Sequence, residues 1–536
     1  MTKYSNHIFL FPFKWYPVSP ENFHLETYIQ GLKENETPLG KLEPFSFEAD
    51  NPKAYNEFTY FYDFAGEALY DQGNDLKAYL KGQEPTSYGE ISPELFFHLQ
   101  HNLEHREIPT YYSFKVKGVE EPYHLRIDSI LVNFYEMGVG VLSFHLINDK
   151  YPVAADILKI NQFGRRLFPQ FITFGLNPLL DVQDTLLPEW MCIQKFAGHS
   201  EYRQIEESYD NFSRYADIER KVKKNPFMVP RIFNAIFPKG AIQGLNDEDA
   251  LPSGIRIYPV LDDRMFVVSW YKPDESVPKD LFTKRIDFAI KETYSDAARD
   301  FWYQYIYIDH DGPTSVNDRF TTDLLEQATY TRWSGYRSLF GVTRYSLMAL
   351  SGFDPLQVHM ETIYFRMAEL CLVQRAMILR FSDEATNLSR KKLGKISKQE
   401  LRRLEELHQN YLRFINKIYF REITAQDQGI EMYDKLQQTL RLPQQVKDLE
   451  GEIATLYQYG QLVQEDRRNK QLDLIAWVGG LFLLPSVLLA FLGITEFSSG
   501  KVVVPPVVEW SILISSGLMA LGGIIAVGIQ YFRGNR

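Results

Sequence analysis

Cysteine is almost absent from this chain: 536 residues carry two, Cys192 and Cys371. Two thiols cannot build a disulfide framework, which leaves the fold to its core and suits a reducing, cytoplasmic setting. A basic excess is lacking too. The net charge of −11 excludes nucleic acid as the main partner, because phosphate-backbone binding needs a basic face. The opening MTKYSNHIFLFPFKW lacks the basic start, long apolar run and small-residue cleavage site of a signal peptide. The bulk of the protein is therefore expected to stay where it is made. No G-x-x-x-x-G-K-[ST], G-x-G-x-x-G or G-x-S-x-G loop occurs, so ATP hydrolysis and α/β-hydrolase chemistry find no support and no catalytic residue or enzyme cofactor is assigned.

What the chain does have is aromatic residues, 15% of the total, at strand-like spacing in its first part. Strands are expected at His7 to Trp15, Phe58 to Phe64 and Tyr111 to Lys117. Leu125 to Asn148 reads as two strands turning at Glu136 to Gly138. Helices are expected near Val153 to Leu167 and Glu201 to Lys223, and further strands at Ile255 to Leu261, Met265 to Tyr271 and Trp302 to Asp309. The reading is an α+β domain over residues 1–325, followed by a helical region with an antiparallel hairpin over 326–443. Within it, Leu356 to Asn387 and Ser397 to Leu440 read as one helix each. Pro443 interrupts, and a stalk helix over 444–473 runs on without a strong breaker.

Two uncharged runs close the chain, Leu474 to Ile494 and Trp510 to Phe532. About 20 apolar residues suffice to cross roughly 30 Å of hydrocarbon. The expectation is therefore two transmembrane helices, 474–494 and 510–532, joined by an outer loop over 495–509 and ending in a short tail, 533–536. Arg467, Arg468 and Lys470 precede the first run and Arg533 and Arg536 follow the second, while the loop holds only Lys501. By the positive-inside rule both termini are expected in the cytoplasm. Ala476, Gly479, Leu483, Ser486, Ala490 and Gly493 give the first run a face of mostly small residues. Such a face packs against a helix, either the second span or copies from other subunits around a pore.

This order, together with Phe482-Leu483-Leu484-Pro485, Gly493, Pro506 and Trp510, resembles the CorA family of magnesium transporters, best over Leu442 to Arg536. The resemblance implies a funnel-shaped homopentamer in the bacterial inner membrane with the first span lining the pore. It places Asn469, Ile475, Leu483, Ser486, Gly493 and Thr495 along that pore, with Ile475 and Leu483 as apolar constrictions. The family's Gly-Met-Asn is replaced by Gly493-Ile494-Thr495, a hydroxyl for a carboxamide, which weakens magnesium selectivity. Phrases such as YNEFTYFYDF and RWSGYRSLFGVTRYSLM resemble a CorA-like subfamily, some members of which accompany type III CRISPR systems. That implies an ion channel for antiviral defence, opened by a nucleotide second messenger such as SAM-AMP. A constitutive magnesium transporter is the alternative.

A nucleotide needs arginines for phosphate, aromatic faces for the base and acidic groups for ribose or amine. Arg165, Arg166, Asp262, Asp263, Arg264, Arg337 and Arg344 have that chemistry, the last two expected on one helix face. The alternative for each is an ordinary ion pair. His101-Asn-Leu-Glu104-His105 matches a zinc-protease pattern, H-x-x-E-H, which needs both histidines on one helix face and a further ligand; a membrane-tethered zinc hydrolase is the remote reading. Arg390, Lys391, Lys392, Lys395, Lys398, Arg402 and Arg403 cluster at the hairpin turn, expected to face anionic lipid or simply to be solvated.

Overall fold

The computed structural model describes residues 3–45, 57, 59–70, 96–103, 108–167, 187–197, 200–208, 230–243, 253–261, 264–283, 295–389, 397–498, 514 and 522. They divide into two compact units, 1–384 with 409–450 and 385–408 with 451–536.

The first unit is built on β1 (Ser5–Pro17), whose residues are buried almost throughout. A strand buried on both faces must lie inside a sheet with a layer on each side. β1 sits between β6 (Val139–Asn148) and β10 (Phe266–Tyr271). The other strands are β2 (Glu43–Pro44), β3 (Phe96–Asn102), β4 (Thr110–Lys115), β5 (Tyr123–Tyr135), β7 (Trp190–Ala197), β8 (Ser200–Ser208), β9 (Ile255–Pro259), β11 (Thr329–Tyr330), β12 (Ser338–Val342) and β13 (Ser346–Ser351). They form one 13-stranded sheet with the main order β11-β12-β13-β10-β1-β6-β5-β4-β7-β8; β3 branches from β5, β2 from β3 and β9 from β1. β10 and β13 pair in parallel, so their starts lie side by side at one end of the sheet.

The described helices are α1 (Leu25–Glu34), α2 (Asp63–Leu69), α3 (Ala154–Gly164), α4 (Asp280–Thr283), α5 (Asp296–Tyr307), α6 (Asp318–Ala328), α7 (Pro355–Glu361), α8 (Ile363–Ser389), α9 (Lys398–Lys417), α10 (Asp427–Thr439) and α11 (Leu442–Ser498). One face of the sheet gives Phe9, Phe11, Phe13, Tyr112 and Phe144 to a core shared with Ile157 and Phe163 of α3 and Trp302 and Tyr305 of α5. On the opposite face His145 meets Phe365 of α8, ring centroids 4.6 Å apart. α8 carries apolar residues all round, which marks a helix enclosed by its neighbours.

Several expectations hold. The strand at His7 to Trp15, the hairpin over 125–148 with its turn at Gly138 (φ 78°), the helix near 153 and the strands at 255 and 265 are all present. Others are corrected. Trp302 to Asp309 is not a strand: Phe301, Trp302, Tyr305 and Ile306 lie on one face of α5, and the Ser295 hydroxyl caps it by accepting from the Ala298 N–H at 3.2 Å. Within Phe58 to Phe64 the described residues 59 and 60 are helical and α2 begins at Asp63. Glu201 to Ser208 belongs to strand β8, and 209–223 lies outside the described residues. Ser397 to Leu440 is two helices. Gln374 donates to the Ile418 carbonyl at 2.8 Å and Gln437 to the Phe420 carbonyl at 2.9 Å, replacing the helical bonds that the chain forgoes between α9 and α10. The break expected at Pro443 is present: α10 ends at Thr439, Arg441 is left-handed (φ 57°), and Pro443 sits in the first turn of α11, where no N–H is required.

The expected pair of membrane-crossing helices is overturned: among the described residues no helix is long and apolar enough to cross a membrane. α11 is continuous over 57 residues, about 85 Å. Its continuously described side chains end at residue 480, so only 474–480 of the first uncharged run are among them, and the charged Glu465, Asp466, Arg467, Arg468, Lys470 and Asp473 lie before it. Beyond residue 480 only Leu483, Ile514 and Gly522 have described side chains, so the side chains of most of both runs lie outside the described residues. The multi-pass inner-membrane placement, the cytoplasmic orientation of both ends and the lipid-facing role of the basic turn rested on those spans and fall with them. The fold is mixed α/β around one large sheet, not an α+β domain leading into a membrane bundle.

Candidate functional site: arginines at one end of the sheet

α8 carries three arginines inside an apolar sequence, and each must be matched or left at a cost. Arg366 donates from Nη1 to Glu369 at 2.9 Å and from Nε to Glu57 at 3.2 Å. Arg380 donates to the carbonyls of Trp15 at 2.7 Å and Gly138 at 2.9 Å, and stacks on Tyr16. Arg375 has no such match. Its Nη1 is buried and lacks a hydrogen-bond partner among the described residues. Burial holds this guanidinium below its ordinary pKa; Tyr345 works in the opposite sense and the like charge of Arg344 adds to the depression.

Arg375 therefore faces the turn between β12 and β13, where Arg344 is exposed and Tyr345 half-buried. The guanidinium of Arg264 lies over the Tyr345 ring, 4.9 Å from its centroid. Arg264 in turn pairs with Arg166 in an isolated antiparallel bridge, and the Met265 N–H donates to the Arg165 carbonyl at 2.8 Å. Residues paired in this way project to the same side about 5 Å apart, and like charges so placed repel. Four segments far apart in sequence thus bring Arg166, Arg264, Arg344 and Arg375 to the shared starts of β10 and β13. Arg165 and Arg166 are themselves buried, 2% and 3% exposed.

Of the residues marked from sequence, the structure unites Arg165, Arg166, Arg264 and Arg344. Arg337 is not part of the group. It is exposed, left-handed (φ 55°), and stands before β12, whose five residues separate it from Arg344; the helix expected to align the two is a β-hairpin. Asp262 and Asp263 lie outside the described residues. Arg375 was missed, although a cation among apolar residues, as in LCLVQRAMIL, is the pattern that signals a buried charge with a task.

The zinc pattern does not survive. His98 and His101 are on strand β3, three apart and so on opposite faces, and the His101 Nε2 lies 3.0 Å from the Ile236 carbonyl. Glu104 and His105 lie outside the described residues, and among those described no group of three or more His, Cys, Asp or Glu side chains could hold a metal. Of the basic turn, 390–396 lies outside the described residues, and Arg402 and Arg403 are exposed on α9. Among the residues given to the pore, Ile475 and Leu483 are exposed on α11, 65% and 63%. Asn469 lies on the same helix, and the side chains of Ser486, Gly493 and Thr495 lie outside the described residues.

Compared with known proteins, the chain matches no family model, and no curated protein matches it.

Proposed function

We propose that this protein is a ligand-responsive effector whose first unit binds a nucleotide-type phosphate at the Arg166, Arg264, Arg344 and Arg375 cluster, supported by Arg165. The observation that carries this reading is the buried, unpartnered Nη1 of Arg375 beside the guanidinium of Arg344 and near Tyr345, on which Arg264 lies. A phosphate supplies several acceptor oxygens and negative charge at once, relieving both the missing bond and the like-charge repulsion. Tyr345, already a stacking surface for Arg264, gives the base or its ribose an aromatic neighbour. A ligand touching α8, the β12–β13 turn and the start of β10 together ties three elements, and binding one arrangement of them more tightly shifts the population toward it.

The partner of the second unit is a further copy of the chain. Leu462, Leu472, Ile475, Trp477 and Leu483 are each more than half exposed on α11. Large apolar side chains repeated along one helix favour self-association over solvent. Ion conduction needs a membrane crossing that no described helix supplies, and it forms no part of this reading. Titration calorimetry with ATP and with pyrophosphate tests the site: binding should weaken at least about tenfold in Arg375→Met and Arg264→Met. Equal heats from parent and variants would remove the proposal.

A further inference from the structure

A second site lies on the opposite face of the sheet from the aromatic core, between β1, β5 and β6 below and α7–α8 above. It is a cavity of about 150 Å³ whose lining includes Asn6, Glu57, Asp128, Glu361, Phe365 and Arg366. Asn6 is 1% exposed. Its Oδ1 accepts from the Trp270 N–H at 2.7 Å, which fixes the orientation of the amide and leaves Nδ2 as the donor. That Nδ2 is buried without a hydrogen-bond partner among the described residues. A buried, orphaned donor costs about 1–3 kcal/mol unless something supplies an acceptor.

Glu57 offers the complementary group. Among the described residues both of its hydrogen bonds, from Tyr70 at 2.6 Å and Arg366 at 3.2 Å, fall on Oε1, leaving Oε2 for the cavity it lines. Arg366 is spoken for by Glu57 and Glu369, and Glu369 also accepts from Asn133. The guanidinium is boxed in by the rings of Phe45, Tyr70 and Phe365, each about 5 Å away. This fixes the Glu57 carboxylate firmly. The carboxylates do not converge as a metal site would require. A cavity of this volume takes a single six-membered ring.

We infer that this cavity binds a planar, single-ring heterocycle bearing an N–H and a carbonyl, as in uracil or 2-pyridone. The ring N–H donates to Glu57 Oε2, the ring carbonyl accepts from Asn6 Nδ2, and the ring packs on Phe365. The site is separate from the arginine cluster: nine residues of α8, about 13 Å and two and a half turns, separate Arg366 from Arg375.

The test is saturation-transfer NMR and calorimetry on the full chain with uracil, 2-pyridone and, as a shape control without hydrogen-bonding groups, toluene. Asn6→Asp keeps the acceptor for Trp270 and replaces the amide donor with a carboxylate oxygen that repels the ring carbonyl. Ser129→Leu fills the cavity without touching Asn6 or Glu57. Uracil or 2-pyridone should bind the parent and bind at least about tenfold more weakly to both variants, because a site built around hydrogen bonds rejects partners that cannot make them. Pyrophosphate binding at the arginines should stay unchanged in both, which separates this site's failure from that of the other. No binding by either heterocycle, equal binding to parent and both variants, or toluene binding as tightly as 2-pyridone would overturn the assignment.

Discussion

Arg366, Arg375 and Arg380 share one helix and one burden, the desolvation of a permanent charge. Arg380 meets it structurally by closing the β5–β6 turn onto β1. Replacing it with Met strands the carbonyls of Trp15 and Gly138, and denaturant unfolding should show a loss of about 2–4 kcal/mol. Arg375→Met should instead be neutral or stabilising, because a charge without a partner is removed. A Met at 375 that destabilises as much as a Met at 380 would mean that Arg375 is structural. His7 supplies a pH dependence. Burial lowers its pKa from 6.5 to about 4, the hydrogen bond to Asn161 offsetting part of the shift. Between those values the unfolded chain takes up a proton that the folded chain refuses. Stability therefore falls as pH drops through 6.5 toward 4, by about 3 kcal/mol in all, and this group contributes nothing above 6.5. His7→Gln should flatten the stability curve in that window; an unchanged slope would assign the acid sensitivity to other groups.

At the scale of elements, tertiary packing decided where local preference was ambiguous. The β5–β6 hairpin was legible because both strands are long, apolar and joined at a glycine with positive φ. Its turn also explains why Gly138 must stay: a Cβ there would strike the Arg380 guanidinium. α5 was misread as a strand because Trp302, Tyr303, Tyr305 and Tyr307 favour strands locally, whereas a 3.6-residue period buries them under the sheet. Gly341 on β12 shows how closely α5 lies there, since a Cβ would fall 2.2 Å from Ile306 Cγ2. Gly341→Ala should cost about 1–3 kcal/mol through overpacking, read as a lower unfolding midpoint in urea. Ser295→Ala should cost about 1 kcal/mol by loss of the cap. Three of the clustered arginine segments were visible in sequence as arginine-rich phrases. Their convergence was not, because it depends on the bridge between residues 166 and 264 and on the parallel pairing of β10 with β13.

For the molecule as a whole, the described residues form a sheet unit and a unit dominated by one long helix, to which the proposed reading gives recognition and assembly respectively. Within the second unit α9 packs on α11 through Leu404 against Gly460 and through His408 stacked on Tyr457, centroids 4.2 Å apart. On the proposed reading, the apolar residues further along α11 meet another copy. Light scattering should find the full chain oligomeric, and Ile475→Glu with Leu483→Glu should lower the mass; an unaltered mass would place the contact elsewhere. The account stands most directly on whether the arginine cluster receives phosphate. Calorimetric titration of the parent, Arg375→Met and Arg264→Met with ATP and pyrophosphate decides it. The prediction is one binding event per chain in the parent, weakened at least about tenfold in each variant while unfolding midpoints stay at or above the parent's for Arg375→Met. Absence of binding in the parent, or binding that both variants retain in full, would contradict it.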